Sequence, residues 1–169
     1  MEQPLVGTSI YVDNFVRAGS AYILTHTHTD HLRGLHNGWS YGEIHCTSAS
    51  AKLLMLHYPS FRTSLLVLHG LEQPLEIGTG ITATFVDANH CTGSVLVVFE
   101  GDGLRDGPVV NSGDFRFCEA LLGSPALQRV ALAVDGKPCQ QLRLDVSWEQ
   151  IDRLPSKATS AELLLEELS

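Results

Sequence analysis

The chain has 169 residues, of which 44% are apolar and 18% charged, the balance of one folded globular domain and not of a disordered or collagen-like chain. Eleven basic residues against nineteen acidic ones leave a formal net charge of −8, which argues against a protein that grips nucleic acid by bulk charge. A chain this long buries roughly 68–70% of its unfolded surface, enough for a real core, and no apolar run reaches the roughly 18 residues of a membrane span.

Met1 to Phe15 carries Glu2 and Asp13 and no basic leader region, so a secretory signal is not expected. The four cysteines, Cys46, Cys91, Cys118 and Cys139, lie scattered without a Cys-x-x-Cys pair and read as reduced thiols. Ala21 to Thr25 reads as a buried strand, and Ser48 to His57 has helical spacing with Leu53, Leu54 and Leu56 on overlapping faces. Ile81 to Val86, Ser94 to Phe99, Val109-Val110 and Val130 to Val134 read as further strands. The Gly- and Asp-rich stretch Gly101 to Pro108 reads as a hairpin turn between two of them. Strands, a helix and hairpin-like strands together predict a layered α/β or α+β body.

Past Gly136 the character changes. Lys137-Pro138 breaks the chain, Leu142, Leu144 and Val146 alternate, and Ala161 to Leu168 predicts an amphipathic helix with Thr159 and Glu162 as its capping box. The expected organisation is therefore a body over 1–135 and a divergent tail over 136–169.

The most informative stretch is His26-Thr27-His28-Thr29-Asp30-His31, which follows the first apolar strand directly. Side chains two residues apart on an extended segment share a side, so His26 and His28 can face one ion. Imidazole nitrogens and carboxylate oxygens are donors suited to zinc or a similar divalent ion, and four of them in six residues are costly to leave unliganded. Isolated histidines such as His57 and His69 read as surface or partly buried residues, whereas His36 is close enough to the cluster to support it from outside.

The motif His-x-His-x-Asp-His resembles the signature of the metallo-β-lactamase fold, shared by glyoxalase II, tRNA 3′-processing hydrolases and DNA-repair nucleases. Three further stretches are similar to the SNM1/Apollo/Artemis group of DNA-repair nucleases: Asp87-Ala88-Asn89-His90-Cys91-Thr92-Gly93-Ser94-Val95, Ser112-Gly113-Asp114-Phe115-Arg116, and the opening Val12-Asp13-Asn14-Phe15. The four motifs occur in that group's order, and the resemblance covers about residues 10–135. It implies the N-terminal half of an αββα sandwich of the metallo-β-lactamase type.

It also implies roles. His26, His28 and His90 would hold a first metal ion, Asp30 and His31 would face a second, and Asp114 would bridge the two. Asp13 would brace the histidine loop without touching metal. Asp30 would also orient the attacking water, and Asp30, Asp114 and, more weakly, Asp135 are the candidate catalytic carboxylates. Zn²⁺ is the implied ion, with Mg²⁺ or Mn²⁺ possible at the second position. Two such ions activate water and stabilise the attacking and leaving oxygens of a phosphodiester, so the negative net charge does not exclude DNA.

The implied activity is 5′→3′ exonuclease action leaving 5′-phosphates. The implied partners are single-stranded or 5′-phosphorylated DNA ends and telomere or repair proteins, with no membrane, and the implied location is the nucleus. The chain departs from the group in three ways. Thr92 replaces a proline, Gly136-Lys137-Pro138 stands where threonines follow the aspartate, and too few residues follow Asp114 to encode the inserted β-CASP domain. A truncated chain of weak or no activity is therefore expected. Two readings compete with the nuclease: another metallo-β-lactamase hydrolase acting on RNA, a thioester or a lactam, and a non-catalytic relative that binds metal or a partner.

Overall fold

The computed structural model describes residues 4–131 and 141–143. Short strands dominate. β1 (Ile10–Val12), β2 (Ala21–Ile23), β3 (Ile44–Thr47) and β4 (Leu66–His69) form a parallel sheet in that order. β5 (Pro74–Gly78), β6 (Ile81–Asp87), β7 (Val95–Glu100), β8 (Val109–Asn111) and β9 (Gln141–Arg143) form the second sheet, antiparallel except for the β8–β9 pair. α1 (Ser48–His57) follows β3, and α2 (Glu119–Leu122) and α3 (Pro125–Ala131) follow β8.

Alternation along each strand sorts the side chains into layers. Ile10, Val12 and Ile23 of the first sheet meet Phe85, Val97 and Phe99 of the second in one cluster between the sheets. The intervening residues Tyr11, Tyr22 and Ile44 turn to the opposite face, where they pack with Phe15, Trp39 and Leu54 of α1. On the outer face of the second sheet, Val86, Val98 and Val110 meet Leu121 of α2 and Ala126 and Val130 of α3. The result is a helix–sheet–sheet–helix order. Strands covered on both faces read as continuous apolar runs, which is why β2, β6, β7 and β8 are legible in the sequence.

The helix over Ser48–His57 has the expected bounds, and it begins where Thr47 accepts a capping hydrogen bond from the Ser50 N–H at 3.1 Å. The turn over 101–108 joins antiparallel β7 and β8 as expected. One expected strand is corrected: Val130 and Ala131 end a helix instead of opening a strand. Pro125 suits a first helical turn, and the Ser124 hydroxyl accepts from the Leu127 N–H, so the helix starts five residues before the apolar run and absorbs its beginning. β1, β3, β4 and β5 are strands that the apolar patterning did not reveal. Of the alternating stretch in the tail, Gln141–Arg143 is described and pairs with β8; the expected helix over 161–168, the boundary near 134–137 and Asp135 lie outside the described residues. No helix among the described residues is long and apolar enough to cross a membrane.

Candidate metal centre

Four strands deliver the site from their C-terminal ends. Asp13 follows β1 and His26 lies three residues past β2; His90 and Asp114 each lie three residues past β6 and β8. Function commonly sits on loops held by such a scaffold. Three of these loops turn sharply through a left-handed residue: Asp13 (φ 49°), Asn89 (φ 52°) and Gly113 (φ 49°). Asp and Asn tolerate that conformation better than most side chains, and glycine adopts it freely.

The donors expected from the sequence meet. His26 Nε2 lies 3.0 Å from His28 Nδ1, and His28 Nδ1 lies 3.3 Å from His90 Nε2. Asp114 reaches both sides of the cluster: Oδ2 lies 3.4 Å from His90 Nε2 and 3.7 Å from His26 Nε2, while Oδ1 lies 3.1 Å from His31 Nε2. His26 is fully buried, His90 partly buried, and His28 exposed, so the cluster has a protein side and a solvent side. Asp30 stands on the solvent side: its side chain is 78% exposed and its Oδ2 is 3.7 Å from His31 Nε2.

Asp13 lies behind the cluster and uses both oxygens there. Oδ1 accepts from the Thr25 N–H at 2.8 Å, and Oδ2 accepts from the Thr25 hydroxyl at 2.6 Å. Oδ2 also stands 2.8 Å from His31 Nδ1, which orients the other ring nitrogen toward Asp114. Burial alone would lower the His31 pKa, but the Asp13 hydrogen bond and the charges of Asp13, Asp114 and Asp30 outweigh it and raise it to about 8.

Two compact donor groups result. His26, His28, His90 and Cys91 offer ligand atoms all within 4.8 Å of one another, and so do Asp13, His26 and His31. Cys91 was read from the sequence as a plain thiol; the turn after His90 brings it among the histidines. The nitrogen- and sulfur-rich first group suits a borderline-soft divalent ion, whereas the carboxylate side with Asp30 and Asp114 suits a harder one. Cys46 is different in kind: burial pushes its thiol up to about 12, which makes it an inert core residue.

The remaining sequence candidates fall elsewhere. His36 is exposed, and its Nδ1 accepts from the Gly38 N–H, so it does not support the cluster. His69 is not a surface residue: it is buried beside His45, with His45 Nδ1 2.9 Å from His69 Nε2 and its ring stacked on Phe85 at 4.3 Å. That pairing joins β3 to β4 and carries no local signal.

No family model matches the chain. Curated relatives do. The DNA cross-link repair protein SNM1 of Arabidopsis thaliana is 40% identical over 134 residues, covering 75% of this chain and 26% of that protein. The 5′ exonuclease Apollo of Gallus gallus is 36% identical over 160 residues, covering 92% of this chain and 32% of that protein. The chain belongs by homology to the SNM1/Apollo group. It spans about a quarter to a third of the length of these two SNM1/Apollo relatives.

A solved structure of a protein of unknown function from Enterococcus faecalis V583 superposes with a TM-score of 0.52 at 18% identity, over 88% of this chain and 37% of that one. The layering described above is the metallo-β-lactamase-like arrangement implied by the histidine motif. The SNM1/Apollo-type loops 88–94 and 113–116 are tied together where the Arg116 N–H donates to the Ala88 carbonyl at 2.9 Å.

Proposed function

We propose that this chain carries the metal centre of a DNA nuclease that hydrolyses phosphodiester bonds in the 5′→3′ direction and leaves 5′-phosphates. We further propose that it serves nuclear DNA repair, in interstrand cross-link, double-strand break or telomere-end processing. The observation that supports this most is the meeting of His26, His28, His90 and Asp114 from three separate stretches, in a chain whose relatives include a protein named as a 5′ exonuclease. Zinc is the proposed ion at the His26, His28 and His90 group, with Mg²⁺ or Mn²⁺ the alternative beside Asp30, His31 and Asp114.

The protein's own groups divide the work. Divalent ions held there would supply Lewis acidity toward a phosphate oxygen and activation of water near neutral pH. The two Asp114 oxygens face different histidines, so this carboxylate fits between two ion positions. Asp13 holds His31 in place from behind. Asp30, exposed on the open side, is placed to accept a hydrogen bond from the attacking water and to orient it. Local positive charge from the ions would offset the net charge of −8 where a phosphate approaches.

The test is incubation of the full chain with zinc and a 5′-phosphorylated, 3′-labelled single-stranded oligonucleotide. Progressive shortening from the 5′ end is expected, abolished by a chelator and by His28→Ala. Metal uptake without cleavage would overturn the nuclease reading in favour of a non-catalytic metal-binding relative. Preferential hydrolysis of RNA or a thioester would overturn the assignment of DNA as substrate.

A further inference from the structure

The parallel strands β1 to β4 all end on one edge of their sheet. Asp13 and His26 follow the ends of β1 and β2 there, and the ends of β3 and β4 carry a second feature that no motif above absorbs. A cavity of about 310 Å³ lies between the start of α1 at Ser48 and Ala49, the end of β4 at His69 and Gly70, and the Gly93–Ser94 part of the loop that carries His90. Ligands of parallel sheets commonly bind outside the carboxyl ends of the strands. Neighbouring strands lie about 4.8 Å apart, so the one or two strands between β2 and this cavity put it roughly 5–10 Å along the edge from the histidine cluster. A single DNA strand crosses that gap in roughly one to three nucleotides.

Two features favour an anion in the cavity. α1 is ten residues long, and the N–H groups of its first turn have no carbonyl inside the helix to meet. Thr47 takes the one from Ser50, and Ser48 and Ala49, ahead of it in the same turn, line the cavity. The positive end of the helix dipole points the same way. His69 is an independent observation. It is only 7% exposed, and its Nδ1 has no hydrogen-bond partner, a rare condition for a buried polar atom. One face of the ring is stacked on Phe85 and Nε2 meets His45, so the cavity that His69 lines is left to the other face and the Nδ1 edge. Burial keeps the ring neutral, with a single proton. When Nε2 accepts from His45 Nδ1, that proton sits on His69 Nδ1, ready to donate.

Among the described residues of the lining, Asp87 is the one carboxylate. It is exposed, and its Oδ1 accepts from the Asn89 N–H at 2.7 Å. Its charge works against a dianion more than against a single negative charge, which favours a phosphodiester over free phosphate.

We propose that this cavity is a second phosphate subsite, where the first turn of α1 and His69 Nδ1 hold a backbone phosphodiester of the DNA strand whose neighbouring phosphate lies at the metal centre. The inference deepens the nuclease reading and rests on it.

Amide spectra of the isotope-labelled full chain, in the presence of a chelator, test it with the dinucleotide TpT, which carries one phosphodiester and no terminal phosphate. The Ser48, Ala49 and Gly70 resonances should move and saturate with TpT and stay in place with thymidine. Affinity should fall about tenfold or more in Ser48→Asp, which sets a carboxylate where the phosphate would sit, and in His69→Phe, which keeps the stacked ring and loses Nδ1. An acidic residue in a first helical turn favours the helix, so Ser48→Asp keeps the fold, and the dispersion of the same spectra checks this. Asp87→Asn should tighten binding by about two- to fivefold. No saturable shift in the wild type, equal affinity for thymidine, or unchanged affinity in Ser48→Asp overturns the proposal. Inorganic phosphate that saturates the same amides more tightly than TpT overturns DNA as the source of the phosphate. The nuclease reading fails separately: TpT binding at Ser48 and Ala49 with no DNA cleavage in zinc would sink that reading and leave the subsite, whereas cleavage without these shifts would sink the subsite alone.

Discussion

Replacing Gly93 by alanine should cost this protein about 2–5 kcal/mol of stability and weaken the zinc binding proposed for the loop that carries His90. Gly93 lies in the loop that carries His90 and Cys91, with φ at +81°. A side chain in that conformation costs on the order of 1 kcal/mol. The new Cβ would lie 2.9 Å from the Ala49 Cβ, the Ser50 amide nitrogen and the Ser50 hydroxyl. The amide belongs to the first turn of α1 and is already bonded to Thr47, so it has little room to yield, and overpacking of this kind costs roughly 1–3 kcal/mol. The strain falls on a pinned segment: the Gly93 carbonyl accepts from the hydroxyls of Thr47 and Ser50, both at 3.0 Å. If the loop lifts, those bonds weaken and His90 moves with it.

The matched control is Gly123→Ala, at φ −86°, where an added Cβ stops 3.4 Å from the Ala120 carbonyl. It should be neutral or stabilising by up to about 1 kcal/mol. Urea titration followed by circular dichroism compares the two, with chelator competition reading zinc affinity in parallel. Equal midpoints for the two variants would refute the reasoning.

The buried His45–His69 pair makes stability acid-sensitive. Burial, together with the neighbouring His45, holds His69 down to about 4, and burial lowers His45 as well. The stability is fully present above about pH 6.5, where both states are neutral, and drains as pH falls toward 4 because the unfolded chain binds the proton first. For His69 the loss amounts to about 3 kcal/mol. His69→Phe should flatten the wild-type decline between those limits in pH-dependent urea titrations; an unchanged decline would remove His69 as its source. Glu72→Ala should destabilise by about 1–2 kcal/mol, since its carboxylate accepts from the Ser124 hydroxyl at 2.6 Å and the Ala126 N–H at 3.2 Å at the start of α3. Thermal or urea unfolding checks this, and a change below about 0.5 kcal/mol would contradict it.

The site was more legible than the scaffold. Four donors within six residues form a local signal, whereas His90 and Asp114 stood out through the resemblance of their loops to the motifs of the SNM1/Apollo/Artemis group. The strands that link them were legible where both faces are buried, as in Ile81–Asp87. They were hidden where polar residues occupy the inner face, as His45, Thr47 and His69 do in β3 and β4, or where the strand is an edge opening with proline and exposing Leu75 and Glu76, as in β5. Val130 was misread because a short apolar run has no period long enough to separate strand from helix, and the deciding signals, Ser124 and Pro125, lie upstream of it. The placement of Cys91 beside the candidate histidine donors and the His45–His69 contact were invisible for another reason. Both depend on how a turn or a neighbouring strand is placed in space, which spacing along the chain does not encode.

Zinc binding by the wild type and by single alanine variants of His26, His28 and His90, with each variant's fold checked by circular dichroism, tests the central claim most directly. A common metal centre predicts tight binding by the wild type and a loss of at least tenfold in each folded variant. Wild-type affinity retained in all three would contradict it.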